Sequence, residues 1–337
     1  MDNRNQRILK AVITSYIETG GPIGSRTISK KYDFGLSPAT IRNIMSDLEE
    51  MGLLTHPYTS SGRIPTESGY RYYIDNLMSE NELACIDEEA FEKRYQKKMD
   101  IVELMHETSV ILSIFSHYSG VATMPCFTNT IFQHLKFIKL AKKNIIAIFV
   151  SQEGIVQNKV LDIDEDYSQK ELDRIADYVN TKFNGLTIAE IRNRLLEEMR
   201  ADNAHYSYLL LKVLKDSESA FSENGSIFLE GAANVLNLPE FSSDMDKMKS
   251  LVNAFEEKHT ILNFLNKCLD SEGVKVYIGT GNSVLNNCSV VAANYRDGSR
   301  VIGTIGVIGP TRMEYTRVIP LVDVTARILS RTISKEY

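Results

Sequence analysis

The stretch 37-SPATIRNIMSDLEEMG-52 decides the fold of the N-terminal part of this chain. Ser37 followed by Pro38 is a common helix start, because the serine hydroxyl caps the first turn and proline fits the first helical position. Apolar residues then recur at i, i+3, i+4 and i+7, the spacing of one buried helical face. These residues are Ile41, Ile44, Met45 and Leu48. Gly52 suits the left-handed residue that ends such a helix.

The other side of this predicted helix carries chemistry suited to DNA. Its first turns present short polar, amide and guanidinium groups, which pair with base edges and phosphates in a major groove. The candidate contacts are Ser37, Ala39, Thr40, Arg42, Asn43 and Ser46. Asp47, Glu49 and Glu50 come later and would repel phosphate, so only the N-terminal half of the helix is expected to approach DNA.

Two helices are predicted ahead of this one. Residues 4–19 place apolar side chains at helical spacing, and the Gly-Gly-Pro sequence at 20–22 ends the pattern. Ser25 is predicted to cap a short second helix that runs to Tyr32. Its first turn adds three candidate DNA contacts: Ser25, Arg26 and Thr27. Helix, helix, turn and helix in this order are typical of a helix-turn-helix module.

A hairpin is predicted after the third helix, and Thr66 is predicted to cap a further helix behind it. Residues 53–55 and 63–65 indicate two short strands around a polar loop at 56–62. Such a loop is the wing of a winged helix-turn-helix and suits phosphate or minor-groove contacts. Its candidate contacts are Tyr58, Ser60, Ser61 and Arg63. The alternative is a helical module of the same shape that contacts proteins instead of DNA.

Charge is unevenly distributed along the chain. Residues 1–75 carry nine Lys and Arg against eight Asp and Glu, whereas residues 76–337 carry 29 against 36. An acidic body disfavours non-specific DNA binding, which depends on neutralising phosphates. Such a protein needs base contacts and two tethered DNA-binding units to bind well.

Helices and strands are both predicted in the body. A charged amphipathic helix is expected over 87–109, and residues 119–129 are expected to form a loop. The apolar stripe of the helix would be Phe91, Tyr95, Val102 and Met105. Alternation with a period of two then predicts an antiparallel meander within 135–163, followed by a helix over 168–183. Later strands are predicted at 275–278, 289–295 and 301–308, and a last helix at 311–330.

The segment 186–272 is predicted to be entirely helical, with helices at 188–200, 206–215, 226–236 and 245–269. A helical block that interrupts an antiparallel sheet indicates an inserted domain. It carries more aromatic and aliphatic side chains than a small helical unit easily hides, which favours an isologous dimer interface. The residues behind this argument are Tyr206, Tyr208, Phe228, Leu229, Phe255 and Phe264.

Four segments resemble the HrcA family of bacterial heat-inducible transcription repressors. They are GPIGSRTIS at 21–29, LSPATIRNIMSDLEEMGLL at 36–54, HPYTSSGRIPTESGYRYYID at 56–75 and GTIGVIGPTRMEYTRVIPLV at 303–322. The resemblance implies a homodimer that binds an inverted-repeat operator of the CIRCE type ahead of chaperone genes. It also implies a GAF-like domain interrupted by a dimerising insertion, and an active form that depends on the GroEL chaperonin.

The expected architecture is therefore α+β and multidomain. A winged helix-turn-helix with its linker would occupy 1–86, a GAF-like antiparallel domain 87–185 and 273–337, and a mostly helical dimerisation domain 186–272. The expected function is sequence-specific repression. The alternative is a regulator that senses a small molecule bound in its GAF-like domain.

Catalysis and metal binding are not expected. The four cysteines and six histidines are scattered and match no metal-ligand spacing, and no nucleophile–base pair or paired carboxylates stand out. The glycines at 303, 306 and 309 fit neither a dinucleotide nor a P-loop fingerprint, so close backbone packing is the better account. No cofactor is expected either. The chain has no apolar run of about 18 residues and its N-terminus is polar, so a cytoplasmic protein without a membrane segment is expected.

Overall fold

The computed structural model describes residues 1–58, 61–78, 83, 86–95, 99–125, 130–152, 154–163, 166–200, 211, 227–266, 272–279 and 288–336. Over these residues the chain is a mixed α/β protein with a helical N-terminal part and antiparallel sheets.

The N-terminal part, residues 1–78, is here called the head. Its elements are α1 Asn3–Thr19, α2 Ser25–Lys31, α3 Pro38–Glu50, β1 Leu54–Thr55, β2 Ile64–Pro65 and α4 Glu67–Tyr72, which continues as a π-helical turn over Tyr73–Leu77. α1 ends at Gly20, whose φ of 68° is left-handed, as the sequence predicts. The predicted cap of α2 is wrong, because Gly24 holds the N-cap position and Ser25 is the first helical residue.

The apolar stripes predicted for the head form its core. On α3 the four predicted core residues are all buried, with Ile41 and Leu48 at 0% exposure. They pack with buried residues of the neighbouring elements, namely Ile8, Leu9, Val12, Ile13, Ile28, Leu54, Tyr70 and Tyr73. Thr66 caps α4 as predicted, since its Oγ1 accepts a hydrogen bond of 3.0 Å from the Gly69 amide.

The rest of the described chain, from residue 83 onward, is here called the body. Its elements are α5 Glu88–Arg94, α6 Ile101–Ser116, β3 Ser119–Thr123, β4 Phe132–Ala141, β5 Asn144–Ser151, β6 Val156–Asp162, α7 Gln169–Phe183, α8 Ile188–Arg200, β7 Ile227–Glu230, α9 Ala232–Leu236, α10 Pro239–Ser242, α11 Met245–Glu256, α12 Lys258–Asn266, β8 Lys275–Ile278, β9 Cys288–Asp297, β10 Arg300–Pro310 and α13 Tyr315–Glu336.

A five-stranded antiparallel sheet in the order β7-β3-β10-β9-β8 is the centre of the body. Its last three strands along the chain confirm the strands predicted after residue 272. The loop predicted at 119–129 is wrong, because residues 119–123 form β3 inside this sheet. All five residues of β3 are buried, and Gly120 packs so tightly on α6 that a Cβ there would lie 2.1 Å from the Ser109 carbonyl oxygen.

Helices cover both faces of this sheet. Side chains of a strand point alternately to opposite faces. On one face Ala122, Val291 and Ile305 join the large core that includes α6 and α13. On the other face Val121 and Val290 join a second core formed with α9 to α12.

A separate three-stranded meander, β4-β5-β6, confirms the predicted strands within 135–163. The helix predicted over 168–183 is confirmed as α7, and Ser168 is its N-cap, in a reciprocal capping box with Glu171. Asn180 of α7 fixes the helix to β4, because its side-chain amide bonds both the amide and the carbonyl of Leu135 at 2.7 and 3.0 Å.

Three helical predictions for the body are wrong in part. The helix predicted at 245–269 is interrupted at Glu257, between α11 and α12. The helix predicted over 87–109 is split into α5 and α6, because Asp100 caps a new helix by accepting a bond of 2.8 Å from the Glu103 amide. Val102 is then exposed instead of lying on the apolar stripe. The helix predicted at 226–236 begins as strand β7, which pairs with β3. The predicted helix at 206–215 lies outside the described residues except for residue 211.

The topology also bears on the predicted insertion. The segment that interrupts the five-stranded sheet runs between β3 and β7 and contains the meander, α7 and α8. Helices α9 to α12 instead pack on the sheet itself. The boundaries expected at 186 and 272 therefore do not coincide with the interruption of the sheet.

Candidate nucleic-acid interface

The exposed side of α3 is the centre of the candidate interface. The candidate residues on this helix are all exposed, namely Ala39, Thr40, Arg42, Asn43 and Ser46. The apolar residues between them point into the core of the head, so packing fixes the rotation of the helix about its axis. Asp47 and Glu50 are also exposed, but they lie about two and a half and about three turns from the helix start, which leaves the N-terminal half as the part without carboxylates.

Ser37 already has a structural role at the start of this helix. Its Oγ accepts a hydrogen bond of 3.1 Å from the Thr40 amide and lies 2.9 Å from the Thr40 hydroxyl. This N-cap satisfies one of the amides that a helix leaves unpaired at its first turn. Both hydroxyls remain exposed, so a DNA contact would be added to the cap.

The candidate residues of α2 lie on its first turn. Arg26 and Thr27 are exposed and Ser25 is half-buried. α2 packs against α3 around Ile28, which is fully buried. The sequence correctly indicates that this turn is accessible, although it assigns the cap to the wrong residue.

The hairpin loop presents one large exposed side chain. Tyr58 is 76% exposed, and the loop is folded back by Ser61, whose Oγ accepts 3.0 Å from the Tyr58 amide and donates 2.6 Å to its carbonyl. The Ser61 hydroxyl is therefore used within the loop. Ser60, the remaining candidate there, lies outside the described residues.

Arg63 is held against α3. Its Nε lies 2.6 Å from Glu49 Oε2, in an ion pair without the alignment of a hydrogen bond, and the Arg63 side chain is 22% exposed. His56 Nδ1 contacts the other carboxylate oxygen of Glu49. The backbone of Arg63 also pairs with that of Ile23, with two N–H···O bonds of 2.9 Å.

Glu49 is the residue whose role the sequence analysis missed. The sequence predicts a carboxylate that repels phosphate, whereas in the structure Glu49 joins α3 to both ends of the hairpin loop. The available signal was its spacing, because Glu49 follows the buried Leu48 and so lies at the edge of the core face. In the described part of the chain, no cluster of three or more His, Cys, Asp or Glu is arranged to hold a metal ion.

Comparison with known proteins identifies the family. A family model described as the HrcA protein C-terminal domain matches residues 102–319. A heat-inducible transcription repressor HrcA of Geobacter sulfurreducens is 43% identical over 340 residues, covering 100% of this chain and 99% of that protein. The chain belongs to the HrcA family.

Other HrcA proteins agree over the same length. The heat-inducible transcription repressor HrcA of Syntrophobacter fumaroxidans is 40% identical, covering 99% of this chain and 98% of its own. A solved structure described only as a hypothetical protein shares the fold, with a TM-score of 0.64, 21% identity and 99% coverage of both chains. The HrcA match over the full length includes the head, which the C-terminal family model does not cover.

Membership of the HrcA family makes this chain a heat-inducible transcription repressor, and repressors are not enzymes. The prediction that this chain is a transcriptional repressor and not an enzyme is confirmed. None of the described helices is long and apolar enough to cross a lipid bilayer.

Proposed function

We propose that the head is a winged helix-turn-helix and that α3 enters the major groove of double-stranded DNA. The exposed N-terminal half of α3 carries this proposal, because it offers Thr40, Arg42 and Asn43 above a core that fixes their direction. Arg26 and Thr27 at the start of α2, and Tyr58 in the hairpin loop, would add phosphate or minor-groove contacts. Ser25, Ser37, Ala39, Ser46, Ser60, Ser61 and Arg63 complete the proposed DNA contacts.

The proposed operator is an inverted repeat of the CIRCE type ahead of chaperone genes, bound by a homodimer. The name of the relatives supports the link to heat, and the acidic body supports the need for two heads. Two tethered heads gain avidity of about 10²–10⁴ when their separation matches the half-sites. Modulation by the GroEL chaperonin and a cytoplasmic location, where a repressor reaches the chromosome, belong to the same proposal and rest on the family resemblance.

The dimer interface we propose is the outer face of the meander, meaning the side chains of β4, β5 and β6 that point away from α7. The central strand offers Ile146, Ile148 and Val150 there, after Asn144 at its start. The flanking strands add exposed apolar residues at 38% to 64% exposure, namely Ile138, Leu140, Val156 and Val160. Register aligns Ile138, Ile146 and Val160 in one row across the sheet. A contiguous apolar patch of this kind is typical of protein interfaces.

A second copy of this chain fits that face best. The face carries these apolar residues together with exposed Lys136, Asn158 and Asp162. In an isologous contact each copy offers the same surface to the other, so the apolar residues of one copy cover those of its partner. The dimerisation region then moves from the 186–272 expected from sequence to the segment between β3 and β7. The five-stranded sheet with helices on both faces would be the GAF-like domain.

A footprint of the purified full-length chain upstream of its own operon tests this function. The expected result is protection of an inverted repeat, with two chains bound per repeat by mass. A matched DNA in which one half-site is reversed should lose most of the affinity, because protein two-fold symmetry requires an inverted repeat. Equal affinity for both DNAs would contradict the proposal.

A second candidate function is small-molecule sensing. A cavity of about 550 Å³ lies between the head and the body, within the size range of ligand sites. Arg7 and Phe34 line it from the head and Glu314 and Thr316 from the body, so a ligand there would lie between the two parts and not within the GAF-like domain alone. Thermal-shift screening of the full chain against metabolites would detect a tight ligand by stabilisation. A panel without any stabilising compound would reject this candidate.

A further inference from the structure

Arg312 lies where the head meets the body. It belongs to the short loop between β10 and α13, and its side chain reaches two other parts of the chain. Its Nη1 donates a hydrogen bond of 3.0 Å to the carbonyl oxygen of Ile17 in α1. Its Nε donates to the carboxylate of Glu240 in α10. One guanidinium therefore joins the first helix of the head to two separate elements of the body.

The end of α1 is built to receive a cation. The last four carbonyls of a helix lack partners within the helix, and the helix dipole favours a positive charge there. α1 has no basic residue of its own in its last turn, so Arg312 supplies this charge from the body. Gly20, which ends α1, leaves room for it, because a Cβ at that position would lie 3.3 Å from the guanidinium carbon.

Glu240 makes the contact costly to lose. The Arg312 and Glu240 side chains are only 19% and 29% exposed, so water screens the pair less than it screens a surface pair. The second carboxylate oxygen of Glu240 is buried and has no hydrogen-bond partner among the described residues. Without Arg312 the Glu240 carboxylate would remain largely buried without its cation, and removing one member of such a pair is strongly unfavourable.

Two further contacts across this junction, among the described residues, are close packing contacts. Tyr70 of the head and Tyr315 of the body are both buried, with ring centroids 6.1 Å apart. The Glu67 carboxylate packs on Gly279, at the end of β8, where a Cβ would lie 1.8 Å from a carboxylate oxygen. These contacts hold the head on the body but do not anchor the end of α1, whereas the Arg312 hydrogen bond does.

We propose that Arg312 is a positioning residue that fixes the orientation of the head on the body and so determines which half-site spacing the repressor accepts. This inference rests on the proposed function of a DNA-binding dimer. With the docking fixed, the two α3 helices have one separation, and only an operator with that spacing engages both heads. Loss of the contact leaves each head able to read a half-site but free to tilt.

Two measurements on the full-length chain test this proposal, with Arg312→Ala, Arg312→Lys and the control Arg317→Ala. Arg317 is the matched control because it lies on the first turn of α13 and makes only long contacts within the body, 4.0 Å to Glu314 and 3.4 Å to His117 Nε2. The first measurement is affinity for a single half-site and for inverted repeats whose spacer is changed by one or two base pairs. The second is hydrogen exchange of residues 13–20 without DNA.

We expect Arg312→Ala to keep half-site affinity, to bind the natural repeat roughly tenfold more weakly because pre-organisation is lost, and to discriminate poorly between spacers. Exchange at the end of α1 should rise in Arg312→Ala and not in Arg317→Ala. Arg312→Lys should be intermediate, because an ammonium keeps the charge but cannot make both contacts in the fixed geometry of a guanidinium.

A folded Arg312→Ala variant with the wild-type spacer profile would overturn the proposal, whatever its exchange. The proposal would also be overturned if Arg312→Ala lost discrimination between spacers without faster exchange at residues 13–20, because Arg312 would then not act by holding the end of α1. If the wild-type chain binds no DNA, the proposed function fails. Exchange alone then decides whether Arg312 docks the head.

Discussion

At the scale of the residue, the two arginines that face the proposed DNA differ in what they already contact. Arg42 projects from the exposed side of α3 and has no ion-pair partner in the described part of the chain. Arg63 is paired with Glu49 and half-buried. The free guanidinium is therefore available for a bidentate contact to a base, whereas the paired one must exchange a carboxylate for a phosphate.

Arg42→Ala should reduce specific binding by about 1–3 kcal/mol, because a bidentate base contact contributes about that much discrimination. Titration of the operator and of random DNA measures the change. Arg71→Ala, an exposed arginine on α4, is the control and should leave operator affinity unchanged. Wild-type operator affinity in a folded Arg42→Ala protein would remove α3 from base reading.

Arg63 and Glu49 should change DNA binding in opposite directions. Arg63→Ala should weaken operator and random DNA similarly and lower the salt slope by about one, as expected for one lost phosphate contact. Glu49→Gln removes the competing carboxylate and frees Arg63, so it should strengthen binding to random DNA. A loss of affinity in Glu49→Gln, together with an unchanged salt slope in Arg63→Ala, would mean that the pair only holds the hairpin.

At the scale of the element, α3 owes its direction to the core beneath it. Leu48 is fully buried, and truncation of such a side chain typically costs about 2–5 kcal/mol. Leu48→Ala should therefore lower the free energy of unfolding and abolish binding by melting the head. Met51→Ala is the control, since Met51 is 55% exposed at the end of the same helix. Chemical denaturation gives both values, and a stable Leu48→Ala protein that fails to bind would place Leu48 at the DNA.

The elements that sequence predicts well are those with one buried face. α1, α3 and α7 show a helical stripe, and the meander alternates, because in each case half of the side chains face solvent. β3 and β7 could not be predicted this way. β3 is buried on both faces and built from small residues, so it has neither alternation nor bulk.

Some helix caps, and side-chain pairs that form only in the folded chain, could not be predicted from the sequence. Asp100 begins a new helix although the apolar spacing continues through it, so the break is visible only in the hydrogen bond to Glu103. The exposed positions of α3 follow from periodicity alone. The partners of Arg63 do not, because Glu49 and His56 meet it only after the hairpin has folded onto α3.

At the scale of the whole molecule, the outer face of the meander should decide the oligomeric state. Val160→Asp places a charge at one end of the apolar row, on strand β6, and should convert the dimer to a monomer. Operator affinity should then fall by about 10²-fold or more as avidity is lost. Val160 is 59% exposed in the single chain, so the variant should still fold. Met245→Asp, at a 66% exposed position on α11, is the control. Light scattering gives the mass, and a dimeric Val160→Asp protein that binds the operator normally would contradict this interface.

The five-stranded sheet has a kinetic consequence. β3 pairs with β10, and the Thr304 amide donates to the Thr123 hydroxyl across 181 positions of sequence. Contacts this distant must close a long loop before they contribute stability, which slows folding and prolongs the exposure of unpaired strand edges. During synthesis the edge of β3 that pairs with β10 therefore stays unpaired until residues 300–310 have left the ribosome. We expect the amount of folded, newly made repressor to depend on whether this unpaired edge of β3 is protected from aggregation until β10 is in place.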